Sequence, residues 1–189
     1  HRVKNNLAMI SAMLMLQSEK TEDPILKEKL LDSTNRIKSI ANIHEHLYES
    51  TNFSKVDFAG NTESLIQSII DSQSFERDIS VKNIGESCFL NINQGIYCSI
   101  IINEVVTNIL NHAFKNLDSG NIEIDIREKD KQVTIQISDD GRPLPETFPD
   151  EYTSGLGMEL IHILVRQLEG SFSFMSPGRT STFMLTFNK

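Results

Sequence analysis

The chain has 189 residues, of which 39% are hydrophobic and 23% charged, and its formal net charge is -8. This is an ordinary globular composition, and the acidic balance argues against a nucleic-acid binder, because phosphate contacts need Lys and Arg. It gives no reason to expect that this fragment contacts a membrane either. Without a visible signal peptide or spanning run, we expect a cytoplasmic fragment, whose full-length protein could still be membrane-anchored.

The first fifty residues have the apolar spacing of helices. The first helix has its apolar residues at steps of four and three, and the second keeps the same register after Pro24, which suits a first helical turn. The seam consists of Val3, Leu7, Ile10 and Leu14, followed by Leu26, Leu30, Ile37, Ile40 and Leu47. A lone hairpin cannot bury all of this apolar surface, so residues 1–50 are predicted to form a dimeric four-helix bundle.

After residue 50 the pattern changes to alternating strands and helices. Residues 51–61 are interpreted as a connector, and residues 62–189 as a second domain. Helices are predicted at residues 62–72, 95–114 and 158–168, and strands at 79–83, 87–92, 122–126, 133–137, 171–175 and 182–187. Residues 118–121 are interpreted as a turn, and Gly170 as a helix cap. The predicted fold is an α+β sandwich with a mixed, mostly antiparallel sheet.

The first cluster with chemical potential is His1 and the polar residues after it. With Val3 and Leu7 on the seam, His1 lies on the solvent-facing side, and a neutral imidazole is a nucleophile at physiological pH. Arg2 and Lys4 supply positive charge for phosphate oxygens. Alone, this cluster is better explained as a terminal histidine at the polar start of a helix, and the downstream clusters reverse that preference.

The second cluster is a polar stripe on the strongly apolar helix. Glu104, Asn108, His112 and Lys115 are spaced by four, four and three residues, which places them on one helix face. Oxygen ligands on such a stripe are suited to Mg²⁺ beside nucleotide phosphates. A solvated helix face is the alternative, but a carboxylate and amides in so apolar a helix need partners.

Two glycine-containing loops complete the set. Asp139 ends a strand, where its carboxylate can accept a hydrogen bond from an exocyclic amine, and Gly141 allows close backbone approach. Gly155 and Gly157 precede a helix, whose N-terminal N–H groups form a phosphate site. Each loop alone is weak evidence, because Asp-Gly turns and isolated G-x-G triplets are common.

In this order, the four clusters resemble those of a sensor histidine kinase. Residues 1–7 resemble the H-box of the subfamily in which Arg-Val-Lys-Asn-Asn follows the phosphoacceptor. Residues 103–114 resemble the N-box of the Bergerat-type ATP-binding fold of gyrase, Hsp90 and MutL. Residues 139–141 and 155–157 resemble its G1 and G2 boxes. The resemblance covers essentially the whole chain, and its specificity lies in the order of the boxes.

The resemblance implies a function and a role for each site residue. Residues 1–50 would serve dimerisation and phosphotransfer, and residues 62–189 would bind ATP and Mg²⁺. His1 would be phosphorylated and would pass the group to an aspartate on a response regulator receiver domain. The implied site residues are Glu104 as catalytic group, Asn108 at the metal, His112 and Lys115 near phosphates, Asp139 and Gly141 at adenine, and Gly155, Leu156 and Gly157 in the lid.

Some positions depart from the family pattern and keep two alternatives open. Pro143 replaces the last glycine of the G1 box, Asn111 replaces the usual N-box lysine, and residues 179–181 lack the usual glycine. A phosphotransfer or scaffold module with a degenerate nucleotide domain is therefore one alternative. The other is a gyrase- or Hsp90-type ATPase in which Glu104 activates water. Because Asn108, Asp139 and Gly157 are intact, the kinase is favoured.

Overall fold

The structure is a computed structural model that describes residues 2–49, 56–72, 78–144, 155–176, 178 and 180–189. It divides into two compact units, residues 1–53 and residues 54–189. Within the described parts of the chain, no helix is both long and apolar enough to cross a membrane.

The first unit is an antiparallel helical hairpin of α1 (Arg2–Lys20) and α2 (Pro24–Glu49). The turn is stabilised by Asp23, whose Oδ1 accepts hydrogen bonds from the N–H groups of Ile25 at 2.9 Å and Leu26 at 3.3 Å. Asp23 is therefore an N-cap, and Pro24 lies in the first turn of α2, as the sequence indicated for the proline.

The packed face of the hairpin is made largely of small polar residues. Ser11, Ser18, Thr34 and Ile43 are its buried residues among those whose side chains are described, and Leu7 and Leu14 are half-buried. Ser18 and Thr34 donate to carbonyl groups of their own helices, whereas the buried Ser11 hydroxyl has no hydrogen-bond partner among the described residues. The predicted seam is wrong at Ile10, which is 44% exposed, because its neighbour Ser11 faces α2 instead.

Large apolar side chains remain exposed on the hairpin. We call them the open apolar set: Val3, Met9, Ile10, Met13, Met15, Leu16, Ile25, Leu26 and Leu31. An exposed patch of this kind on a small helical unit marks a surface for association.

The second unit combines helices and strands. Its elements are β1 (Val56–Asp57), α3 (Phe58–Ser72), β2 (Asp78–Asn83), β3 (Phe89–Leu90), α4 (Ile92–Asn108), a π-helical turn (Ile109–Ala113), β4 (Ser119–Lys129), β5 (Gln132–Asp139), α5 (Leu156–Gln167), β6 (Ser171–Met175) and β7 (Ser181–Asn188). β1 and β3 form a separate antiparallel pair, and the other strands form one sheet.

The main sheet has the strand order β2-β4-β5-β7-β6, with β2 and β4 parallel and the remaining neighbours antiparallel. This confirms the predicted mixed, mostly antiparallel sheet. Ile122, Ile124 and Ile126 of β4 alternate with polar residues and point to one buried face, which Ile135 and Ile137 of β5 extend. α3, α4 and α5 supply the other apolar residues of the core.

Several predicted boundaries are wrong. The strand predicted at 87–92 is only Phe89–Leu90, and the helix predicted from residue 95 already begins at Ile92. α3 begins at Phe58 rather than at residue 62, so the interpretation of residues 51–61 as a connector fails from β1 onward. The predicted turn at 118–121 is already strand from Ser119, because these residues pair with β2. The helix cap predicted at Gly170 is also displaced: Glu169 takes the left-handed conformation, with φ of 51°.

Candidate functional site

The polar stripe begins inside the core. α4 is capped by Asn91, whose Oδ1 accepts from the N–H of Gln94 at 2.9 Å. Three turns later Glu104 is only 2% exposed, and Asn103 Nδ2 lies 3.4 Å from its Oε1. Asn108, half-buried, is the last residue of α4. A carboxylate and amides at these depths are costly unless they serve a ligand or one another.

After Asn108 the helix widens into the π-helical turn. Phe114 N donates to Ile109 O at 3.0 Å, a bond that spans five residues instead of four. The predicted uninterrupted α-helix over 95–114 is therefore wrong here, and the stripe does not continue to His112 and Lys115 with α-helical spacing. π-turns of this kind occur frequently at functional sites.

His112 lies within this turn and Lys115 just beyond it, and both are exposed. The pKa of His112 is lowered, first by partial burial of the ring and second by the positive charge of Lys115. The imidazole is therefore held in its neutral form at physiological pH.

Asp139 is the last residue of β5 and is 4% exposed. Its Oδ1 accepts a hydrogen bond from the N–H of Gly141 at 3.0 Å. The pKa of Asp139 is raised to about 6, chiefly by burial; the Gly141 N–H opposes the rise, and the charge of Asp140 adds to it. A buried carboxylate that still has acceptor capacity is suited to recognising a donor group on a ligand.

The loop after Asp139 docks against the π-helical turn. Arg142 N donates to Ala113 O at 2.9 Å. A Cβ added at Gly141 would lie 2.8 Å from the carbonyl carbon and oxygen of Ala113, so this close approach requires glycine. The fold thus brings the predicted G1 residues against the end of the predicted N-box.

The glycines before α5 occupy a helix N-terminus. Gly155 is the N-cap residue, Leu156 is exposed and Gly157 is buried. Gly155 has an ordinary φ of -94°, and a Cβ added there would meet nothing within 4 Å. The fold alone therefore does not require glycine at residue 155, whereas close approach of a ligand phosphate would.

Sequence reasoning missed Ser80, Asn121 and Asp140, which are joined by hydrogen bonds beside the 139–142 loop. Asn121 had been placed in a turn, and the start of β4 has no apolar alternation that would have corrected this. His1 lies outside the described residues, so its role rests on sequence. No cluster of three or more His, Cys, Asp or Glu suited to a metal occurs in the described ranges.

Two family matches define the class of protein. Residues 1–73 match the histidine kinase family, and residues 98–189 match the family of histidine kinase-, DNA gyrase B- and HSP90-like ATPases. In this order on one chain, they support the catalytic core of a histidine kinase.

Individual relatives agree with this class. The chain is 32% identical over 188 residues to the sensor histidine kinase PdtaS of Mycobacterium tuberculosis, a match that covers 96% of this chain and 36% of the relative. It is 24% identical to blue-light-activated histidine kinase 2 of Erythrobacter litoralis, over 97% of this chain and 54% of the relative. The chain thus spans about a third of the length of PdtaS.

A solved structure shares the fold. The histidine kinase domain of the Erythrobacter litoralis EL346 blue-light activated histidine kinase superposes with a TM-score of 0.70 at 17% identity. The superposition covers 97% of this chain and 95% of that domain. At this identity the likeness supports the helical hairpin and the α/β unit as a fold.

Proposed function

We propose that this chain is an ATP-dependent protein-histidine kinase that phosphorylates His1 and passes the phosphoryl group to an aspartate of a response regulator. The observation that carries the proposal is the docking of the 139–142 loop on the turn that follows Asn108. This contact gathers a recessed carboxylate and an amide-bearing helix end within one compact unit, as a nucleotide site requires.

Base recognition is assigned to Asp139. Its buried carboxylate would accept a hydrogen bond from the exocyclic amine of adenine, while the Gly141 N–H holds its Oδ1. The phosphates would lie toward the N-terminus of α5, where Gly155, Leu156 and Gly157 offer backbone N–H groups. Lys115 would add positive charge and His112 a neutral donor near the phosphates.

The donor set on α4 fits Mg²⁺. Asn108 offers an amide oxygen and Glu104 a carboxylate one turn earlier, and these are the hard oxygen ligands that Mg²⁺ prefers. When bound, the ion would neutralise charge on the phosphates of ATP. Asn103 would hold one oxygen of Glu104 and so restrict the orientation of its carboxylate.

The transfer step requires an in-line nucleophile. A ring nitrogen of His1 would form a bond to the γ-phosphorus as the bond from this phosphorus to the β–γ bridging oxygen breaks. ADP leaves with that electron pair, and the imidazole loses its ring proton. We assign this role to His1 from its sequence cluster, with Glu104 as the group that polarises the transfer.

The helical hairpin is the proposed binding surface for protein partners. The open apolar set is the surface on which a second copy would complete a four-helix bundle. The same bundle would receive the receiver domain of a response regulator. Because the chain spans about a third of PdtaS, the signal, the regulator and the full activity belong to these proposals. The cytoplasmic location of this fragment stays a prediction.

The departure at Pro143 does not remove the docking contact. Proline has no N–H, but the bond to Ala113 is donated by Arg142, one residue earlier. Asp139 and Gly141 keep their arrangement, so a degenerate nucleotide domain is the less favoured reading.

The proposal is tested by incubating the protein with γ-labelled ATP and Mg²⁺. We expect label that resists alkali and is lost in acid, and that is absent from His1→Ala and Asn108→Ala variants. His162→Ala and Asn188→Ala are matched controls that should keep the label. Steady ATP hydrolysis without phosphoprotein would instead support the ATPase, and acceptance of phosphoryl groups without nucleotide binding would support the phosphotransfer module.

A further inference from the structure

The start of β4 lies directly beside the 139–142 loop. Asn121 is in register with Ser80 of β2, and the next residue, Ile122, is in register with Asp139 of β5. Asn121 therefore sits at the point where β5 ends and the loop begins. No role in nucleotide binding follows from its sequence position alone.

Asn121 makes three hydrogen bonds to one loop residue. Its backbone N–H donates to Asp140 Oδ1 at 2.7 Å, and its side-chain Nδ2 donates to Asp140 Oδ2. In return the N–H of Asp140 donates to the carbonyl oxygen of Asn121 at 3.3 Å. Both carboxylate oxygens of Asp140 thus have partners, which fixes the orientation of the group.

A further bond orients the Asn121 amide. Ser80 Oγ donates to Asn121 Oδ1, so the side-chain oxygen is directed toward β2 and the amide nitrogen toward Asp140. Hydrogen bonds to a charged acceptor are stronger than neutral ones, although solvent weakens them here because all three side chains are exposed.

The loop is consequently held on two sides. Asp140 is bound to β4, while Gly141 and Arg142 pack on Ala113 of the π-helical turn. Asp139 precedes both attachments as the last residue of β5, in register with Ile122 and Ser181, and its carboxylate lies in the core. Its Oδ1 accepts from the Gly141 N–H, so the β4 attachment at Asp140 helps to hold the donor that orients this carboxylate. Releasing the β4 side would leave that N–H held by the Ala113 contact alone.

We propose that Asn121, oriented by Ser80, is a positioning residue that aims the Asp139 carboxylate at the exocyclic amine of the nucleotide base. The inference rests on the proposed function, since it presumes that Asp139 recognises adenine. Asn121 itself touches no substrate atom in this scheme and acts through Asp140.

The test is base discrimination, measured as the ratio of binding constants for ATP and inosine triphosphate in the full chain. Inosine triphosphate has a carbonyl oxygen where adenine has its amine. Asn121→Ala should lower the preference for ATP by about fivefold, the scale of one hydrogen bond, with little change for inosine triphosphate. Ser80→Ala should lower it less. Glu123→Ala, an exposed neighbour on the same strand, should leave it unchanged.

A double variant shows whether the effect runs through Asp140. Asn121→Ala combined with Asp140→Ala should lose no more discrimination than the stronger single variant, because both remove the same contact. If the losses of discrimination in the two single variants multiply in the double variant, Asn121 does not act through Asp140.

The outcomes separate the two proposals. If Asn121→Ala weakens both nucleotides equally together with a lower melting temperature, Asn121 is a structural residue only and the inference is overturned. Asp139→Ala should abolish discrimination. If Asp139→Ala abolishes discrimination while Asn121→Ala retains it in full, Asp139 recognises the base but Asn121 does not position it. If Asp139→Ala also retains full discrimination, the assignment of adenine recognition to Asp139 is itself wrong.

Discussion

The two units of this chain bury different kinds of residue. The α/β unit encloses isoleucine, leucine and phenylalanine between sheet and helices, with side chains such as Ile124 and Ile135 fully buried. The hairpin buries serine and threonine at its helix contact and leaves its methionines and several leucines exposed. One unit thus completes its own core, whereas the other is arranged to be completed by association.

The largest expected effect is on the closed core. Ile124→Ala removes three carbons from a fully buried site between β4 and its neighbours and should lower the free energy of unfolding by about 3–4 kcal/mol. Met13→Ala, at a site 57% exposed, should cost about 0.5 kcal/mol or less at low protein concentration. Urea denaturation followed by circular dichroism measures the free energy of unfolding of both variants. Equal losses of stability would contradict the contrast between a closed core and an open hairpin.

Burial of Asp139 in the same closed core makes the stability of the folded state depend on pH. Its pKa of about 6 exceeds the ordinary 3.8, so between these values the folded state keeps a proton that the unfolded state has lost. Stability therefore falls as pH rises through this window, by about 3 kcal/mol in total. Asp139→Asn should flatten this slope and be more stable than wild type above pH 6, as thermal melts at pH 4 to 8 would show.

Nucleotide binding should have the opposite pH dependence. An ionised Asp139 is the better acceptor for the adenine amine, so affinity should rise as pH increases through about 6. Asp139→Asn is the control, because any remaining dependence in this variant comes from the nucleotide phosphates or from His112 beside them. An identical pH profile in both proteins would exclude Asp139 as the titrating group.

The open apolar set provides the next test. Met13→Glu combined with Leu16→Glu should weaken self-association at least about tenfold, since two charges would be placed in an apolar contact. Met175→Glu changes a methionine of β6 that is 43% exposed in the other unit and should leave association unchanged. Sedimentation equilibrium measures both. A monomeric wild-type protein would refute the completion of the hairpin by a second copy.

The smallest expected effect on stability is at Gly155. With an ordinary φ and open space around the added methyl group, Gly155→Ala should cost about 0.5 kcal/mol, a typical change at a helix N-cap. Nucleotide affinity should fall more than this cost implies. An unchanged affinity would remove Gly155 from the phosphate site.

Local patterns made much of the fold predictable. The alternation at Ile122, Ile124 and Ile126 predicted a half-buried strand, and Asp23 with Pro24 marked the start of α2. The hairpin seam departs from the packed face at Val3, Ile10 and Leu26, which are exposed. At Ile10 the reason is that Ser11 is its neighbour, and only the packing partner decides which of the two faces inward. Polarity alone could not indicate that a serine would be the buried member of this pair.

The residues proposed for the candidate site could be chosen from the sequence, but the contacts that hold them in place could not. Asp139, Gly141 and Asn108 follow from motif order, because their chemistry is local to short segments. The contact of Arg142 with Ala113 and the attachment of Asp140 to Asn121 join residues far apart in sequence. The π-helical turn was also missed, because the apolar spacing of α4 continues through it without interruption.

The parallel pairing of β2 with β4 sets an order of events during folding. The hairpin forms from contacts between neighbouring helices, which close quickly, whereas β2 meets β4 only after all of α4 and the π-helical turn have been traversed. We therefore expect the hairpin to form early and to expose its apolar side chains before the sheet closes. While these side chains are exposed, the polypeptide is most prone to aggregation. Early pairing of two hairpins would shorten the time for which they are exposed.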